Sequence, residues 1–132
     1  MLKYTAPILV AAGFIMLSSF IKEPARQKFM AVMIAGAGAA YLSAFGMGLW
    51  EFVFTTFVTY CAYRGISSYT FIGIGWLLHT LWDIIHHNIG VPLLPFSDVS
   101  SLGCAICDPF IALWCFARAP SLLDLTNCNH RN

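Results

Sequence analysis

His79, Asp83, His86 and His87 lie within Gly75–His87, a stretch whose other side chains are almost all apolar. Neutral imidazoles and carboxylates are ligands for zinc, iron or manganese. At about 100° per residue the four fall within roughly a 100° sector of a helix, so one face carries the whole set. A bound cation would turn several costly polar groups into partners of one ion. Such an ion lowers the pKa of a coordinated water and supplies hydroxide for hydrolysis of a lipid-soluble substrate; with iron, the same ligand types suit oxygen chemistry. His79, Asp83 and His87 are the first ligands expected, followed by His86 and Asp108, and Glu51 is placed as an acid/base. Asp108 is also a candidate for the catalytic step.

Two other uses of the same residues stay open. Imidazole and carboxylate four positions apart can pair with each other, with Glu51 or with backbone carbonyls, as polar glue in an accessory subunit. Asp83 and Asp108 in series would instead suit a proton or ion relay. Cys104 and Cys107 have the spacing of a redox or metal pair, and equally that of small apolar residues in a helix. A bond between them inside a regular helix would be strained. Pro109 has no N–H to offer the carbonyl of Ala105, which predicts a kink beside Asp108.

The elements that hold these residues follow from composition. With 59% hydrophobic, 15% aromatic and 10% charged residues, the 132-residue chain is far from the usual quarter of charged residues. That composition predicts an integral membrane protein in contact with the lipid bilayer, all-α, as a single polytopic bundle. Apolar runs predict five spans, near 4–21, 29–46, 48–63, 69–89 and 102–117, with four as the alternative because the third and fifth are short. The charge-dense Lys22–Lys28 stretch reads as the first loop, and Gly46-Met47-Gly48 as a tight hairpin. Gly90 with Pro92 and Pro95 ends the fourth span, Ser100 and Ser101 offer N-cap hydroxyls, and Ala119-Pro120 stops the fifth before a polar tail over 120–132.

With the N-terminus outside and the C-terminus cytoplasmic, Lys22, Arg26, Lys28, Arg64, Arg118 and Arg131 all fall on the inner side and only Lys3 outside. This orientation puts Glu51, His79, Asp83, His86, His87, Cys104 and Asp108 in the outer half of the bilayer. Polar stripes of three helices then sit at one level: Glu51, Thr55 and Thr59; His79, Asp83, His86 and His87; Cys104, Asp108, Ile111 and Cys115. They should turn toward one another, because lipid offers them no hydrogen bonds. So short a chain makes a thin bundle, and ligands completed across a homo-oligomer or within a larger membrane complex are expected partners.

Other classes are excluded. No basic run is present to neutralise phosphates, so nucleic acid is not a partner. There is no phosphate-cradling glycine loop, serine-nucleophile motif or dinucleotide fingerprint. The N-terminal segment lacks a clear cleavage site and reads as a retained helix. Ala35–Ala40 places small residues at four-residue spacing, which predicts close helix contact.

The segment from Ser67 to Pro120, with Gly75-Trp76-Leu77-Leu78-His79-Thr80, Trp82-Asp83, His86-His87 and Ser100-Ser101-Leu102-Gly103-Cys104, resembles a family of small bacterial membrane proteins defined as a domain of unknown function. The resemblance implies a bacterial inner-membrane protein and no particular activity. Asp83–His87 is also similar to one histidine box of membrane fatty-acid desaturases and hydroxylases, which carry several boxes and more histidines than this chain. His79 with Asp83 is similar to a fragment of the zinc-binding helices of membrane ceramidase-like hydrolases.

Overall fold

The computed structural model describes residues 2–44, 46–91, 93 and 100–123. Among them are five helices, α1 (Leu2–Ser19), α2 (Ala25–Ala44), α3 (Leu49–Gly65), α4 (Tyr69–Asn88) and α5 (Ser100–Phe116), and no strand. The five expected apolar runs are thus five helices, with ends displaced by a few residues. The largest displacement is at α2, which takes in Arg26, Gln27 and Lys28, so the charged loop ends at Pro24. The expected turn at Pro92 and Pro95, Arg131 and the tail beyond residue 123 lie outside the described residues.

Local chemistry explains the ends. Gly48 has φ 60° immediately before α3, a left-handed conformation that costs glycine little. Glu51 then lies in the first turn of α3 and Arg64 in its last, each matched in sign to the helix dipole. At the end of α4, Gly90 (φ 72°) reverses the chain, its N–H donating to the carbonyl of His87 (3.3 Å) and the Val91 N–H to that of His86 (3.0 Å). These are the paired bonds of a Schellman cap. The same pattern closes α5, with Arg118 N–H donating to Cys115 and Ala119 N–H to Trp114, although Arg118 (φ 65°) stands where glycine is usual. α5 runs without a break through Pro109.

α4 is the central element, packed against α5, α3 and α2, while α1 lies mainly on α5 and α2 lies on α3. The expected close approach of small residues occurs at Gly38: a Cβ there would come within 2.7 Å of Val58, and the neighbouring Thr55 hydroxyl donates to the Gly38 carbonyl (3.0 Å). Gly36 faces open space. The inward stripe of α4 reads Ile72, Trp76, His79, Asp83, His86, and that of α5 reads Ser101, Asp108, Ile111 or Ala112, Cys115. In α3 the buried stripe is Glu51, Phe54, Val58 and Cys61, not the predicted Glu51, Thr55, Thr59; Thr59 is exposed. The three stripes are apolar toward one end of the bundle and ionisable toward the other.

The outside is strongly apolar, with Leu49 (77% exposed), Leu9 (71%), Val32 (69%) and Phe57 (60%) among many such side chains. Even so, no helix among the described residues is long and apolar enough to cross a membrane. α3 and α5 have 17 residues each, roughly 25 Å of rise against about 30 Å of hydrocarbon. α2 begins with Arg26 and Lys28, and α4 is interrupted by His79, Asp83 and its terminal histidines. Five helices are therefore established where five spans were expected, and helix length and apolarity do not make them spans.

Candidate metal centre

Two buried polar clusters occupy the ionisable half of the bundle. The first combines His79 and Asp83 of α4 with Asp108 of α5, exposed by 2%, 0% and 3%. His79 and Asp83 are four residues apart and so lie one turn from each other on the inward face, and Asp108 meets them from the neighbouring helix. His79 Nδ1 is 2.9 Å from Asp83 Oδ2 and 2.8 Å from Asp108 Oδ2. On the far side of the ring, Nε2 donates to the carbonyl oxygen of Ala37 in α2 (3.1 Å). A carbonyl only accepts, so Nε2 carries a hydrogen and Nδ1 is the atom presented to the two carboxylates.

That geometry has a definite chemical consequence. If the ring is neutral, a lone pair on Nδ1 faces two carboxylate oxygens, and three acceptors converge with nothing between them. A proton, held on Nδ1 or on one of the two carboxyls, or else a cation must occupy the space they share. The three ligand atoms lie within 4.8 Å of one another, so this group can hold a metal ion. Ligands at about 2.0–2.2 Å from a tetrahedral metal stand about 3.3–3.6 Å apart, so the imidazole nitrogen, at 2.9 and 2.8 Å from the two carboxylates, would have to draw back by roughly half an ångström to admit an ion. The Ala37 carbonyl fixes the tautomer and ring orientation of His79, as the outer partner of a metal-binding histidine would.

Tyr41 of α2 completes this cluster. Its hydroxyl donates to Asp83 Oδ1 and lies 3.4 Å from Ser101 Oγ. Ser101, expected as an N-cap, is instead fully buried and accepts the Leu93 N–H at 2.9 Å. Neither Tyr41 nor Ser101 stood out in the sequence: a lone tyrosine beside small residues and a serine at a helix start have ordinary structural uses.

The second cluster pairs Glu51 of α3 with His86 of α4, both with no exposed surface. Glu51 Oε2 accepts from Trp82 Nε1 (2.9 Å), and Oε1 accepts the Met47 N–H (3.1 Å). His86 Nδ1 donates to the carbonyl of Val91 (2.9 Å), which the Schellman cap has folded back beneath it. His86 Nε2 is 3.0 Å from Glu51 Oε1, within ion-pair distance but out of line for a hydrogen bond. The Tyr41 ring lies between the clusters, with its centroid 4.3 Å from that of His86 and 5.6 Å from that of His79.

The predicted residues are thus sorted into three environments. His79, Asp83 and Asp108 meet; Glu51 and His86 form a separate pair; His87, among the first ligands expected, is exposed. His87 lies about 100° round the helix from His86, off the seam that faces the core. Cys104 and Cys107 are free thiols, and Cys107 belongs to the apolar core. The single pocket expected from three helices is two adjoining clusters drawn from four.

The family model described as a family of unknown function (DUF6010) matches residues 2–121. No curated protein matches the chain, and no solved structure does.

Proposed function

This chain belongs to the family of unknown function DUF6010, and from that premise we propose that it is a bacterial inner-membrane protein that binds a divalent transition metal, zinc or iron, through His79, Asp83 and Asp108. The observation that carries the metal reading is the His79 ring, whose Nε2 is committed to the Ala37 carbonyl while Nδ1 meets two carboxylates. Three protein ligands leave positions for water, the composition of a site that activates a nucleophile rather than one closed for structure alone. Hydrolysis or oxidation of a lipid-phase substrate is the chemistry we assign to it.

The membrane setting is supported by the polarity of the bundle. Glu51, Asp83 and His86 are sealed inside while leucine, valine and phenylalanine side chains cover the outside, the reverse of what water favours. Helices of 17–20 residues would sit in a bilayer that thins around short segments. The proposed orientation places the N-terminus outside and the ionisable half of the bundle toward the outer face. An apolar cavity of about 360 Å³ opens between α3 and α4, lined by Trp50, Val53, Phe57, Leu81 and Ile85 and backed by Phe54. Phe54 stacks on Trp82 (4.6 Å between centroids) and its ring lies 6.0 Å from that of His79. A substrate arriving from the lipid would meet this wall first.

Metal analysis of the purified protein tests the reading. About one equivalent of metal is expected in the unaltered chain, with a large loss in His79→Ala and Asp108→Asn and no loss in His87→Ala. Metal at background in the unaltered chain, after growth and purification with added zinc or iron, would overturn it. A second reading rests on the same distances: a proton on Nδ1 shared by two carboxylates makes His79 a charged clasp between α4 and α5. In that case Asp108→Asn would destabilise the bundle with no metal to lose.

A further inference from the structure

The opposite end of the bundle carries most of the cations. Lys22 and Arg26, together with Lys28, Arg64 and Arg118, all stand at helix ends on that side, with Glu23 beside them. Arg64 is engaged, over the Phe71 ring (4.7 Å) and toward the Tyr60 hydroxyl. Arg26 is different. It is 6% exposed, its Nε donates to Glu23 Oε1 (2.9 Å), and its Nη1 has no hydrogen-bond partner. A guanidinium N–H withdrawn from water and left unpaired is costly, more so than a neutral donor.

Arg26 lines a cavity of about 310 Å³ between the end of α1 and the start of α2, together with Ser19, Lys22, Glu23 and Ser121. The surrounding charges leave room for an anion. Glu23 Oε1 already accepts from both Arg26 Nε and the Tyr69 hydroxyl (2.6 Å). The two serine hydroxyls are spent on the backbone, Ser19 on Ile15 and Ser121 on Ser19. Arg26 and Lys28 also fall in the first turn of α2, which has no acidic residue. Positive charge there opposes the helix dipole, and an anion at that place would satisfy dipole, guanidinium and ammonium together.

We infer that this cavity is a binding site for a phosphate group, with the buried Arg26 as its fixed donor and the exposed Lys22 as its second charge. The planar guanidinium suits phosphate oxygens, and the lysine supplies a mobile point charge at the rim. The phosphate has two possible sources, a lipid headgroup or a soluble phosphate, and both present the same oxygens.

Thermal unfolding of the full chain in neutral detergent separates them. The probes are inorganic phosphate and mixed micelles containing phosphatidic acid, with phosphatidylcholine micelles as the uncharged-net control. A ligand that binds only the folded state raises the midpoint in a saturable way. Saturable stabilisation by phosphatidic acid alone identifies a lipid headgroup, by inorganic phosphate alone a soluble anion, and by both a site that reads the phosphate group itself. Half-saturation should shift about tenfold or more in Arg26→Gln and by a smaller factor in Lys22→Gln. Because Lys22 is exposed, that variant decides the matter if Arg26→Gln does not fold. Stabilisation by neither probe, or half-saturation unchanged in Lys22→Gln and in any Arg26→Gln that folds, overturns the inference.

Discussion

Tyr41 joins the two buried clusters, giving its hydroxyl to Asp83 and its ring to the imidazoles of His79 and His86. Replacing it with phenylalanine keeps the ring and removes the hydrogen bond. Tyr41→Phe is therefore expected to fold and to bind metal about 10–100-fold more weakly, the usual effect of losing an outer partner of a ligand; a competition titration against a chelator measures it. Glu51 behaves differently, because it holds together a pair and does not touch the His79 cluster's three ligands. Glu51→Leu leaves His86 without its carboxylate in the interior and should cost about 3–5 kcal/mol, read by denaturant unfolding, while metal bound per folded molecule is unchanged. At this scale the residue types in α4 and α5 were legible, since ionisable groups in an apolar helix announce themselves. Which of them meet was not, because helical phase alone keeps His87 beside His79 whereas the core faces only the His79–His86 seam.

The helices themselves were nearly all readable, since apolar runs broken by glycine, proline and charge mark where a chain turns. Their ends carry two testable features. Arg118 sits at φ 65° in the cap of α5, where glycine has no side-chain penalty. Arg118→Gly should stabilise the protein by about 0.5–1 kcal/mol, seen as a raised unfolding midpoint. Gly38 lets α2 approach α3, and a Cβ there meets Val58 at 2.7 Å. Gly38→Val should then cost about 1–3 kcal/mol through overpacking, whereas Gly36→Val, in open space, should change little by comparison. Small residues at four-residue spacing predicted the contact without saying which glycine makes it, since that depends on the rotation of α2 against its neighbour.

As a whole molecule the chain is a bundle with an ionisable interior at one end, most of its cations at the other and an apolar coat. If that coat faces lipid, the protein should stay in the membrane pellet after alkaline carbonate washing, and a cytoplasmic reporter should be active on the C-terminus and silent on the N-terminus. Release into the wash would remove the membrane setting while leaving the metal test intact. Composition and hydropathy patterning by themselves marked out the five apolar runs that are the five helices of the described residues, with four as the alternative, and placed the ionisable side chains in α4 and at Asp108 of α5, because those properties depend on residue types and on spacing along the sequence. Only the tertiary structure decided that His79, Asp83 and Asp108 converge, that Glu51 and His86 form a pair of their own, and that Tyr41 lies between them. Those are relations between helices, set by the rotation and depth at which each packs on its neighbours.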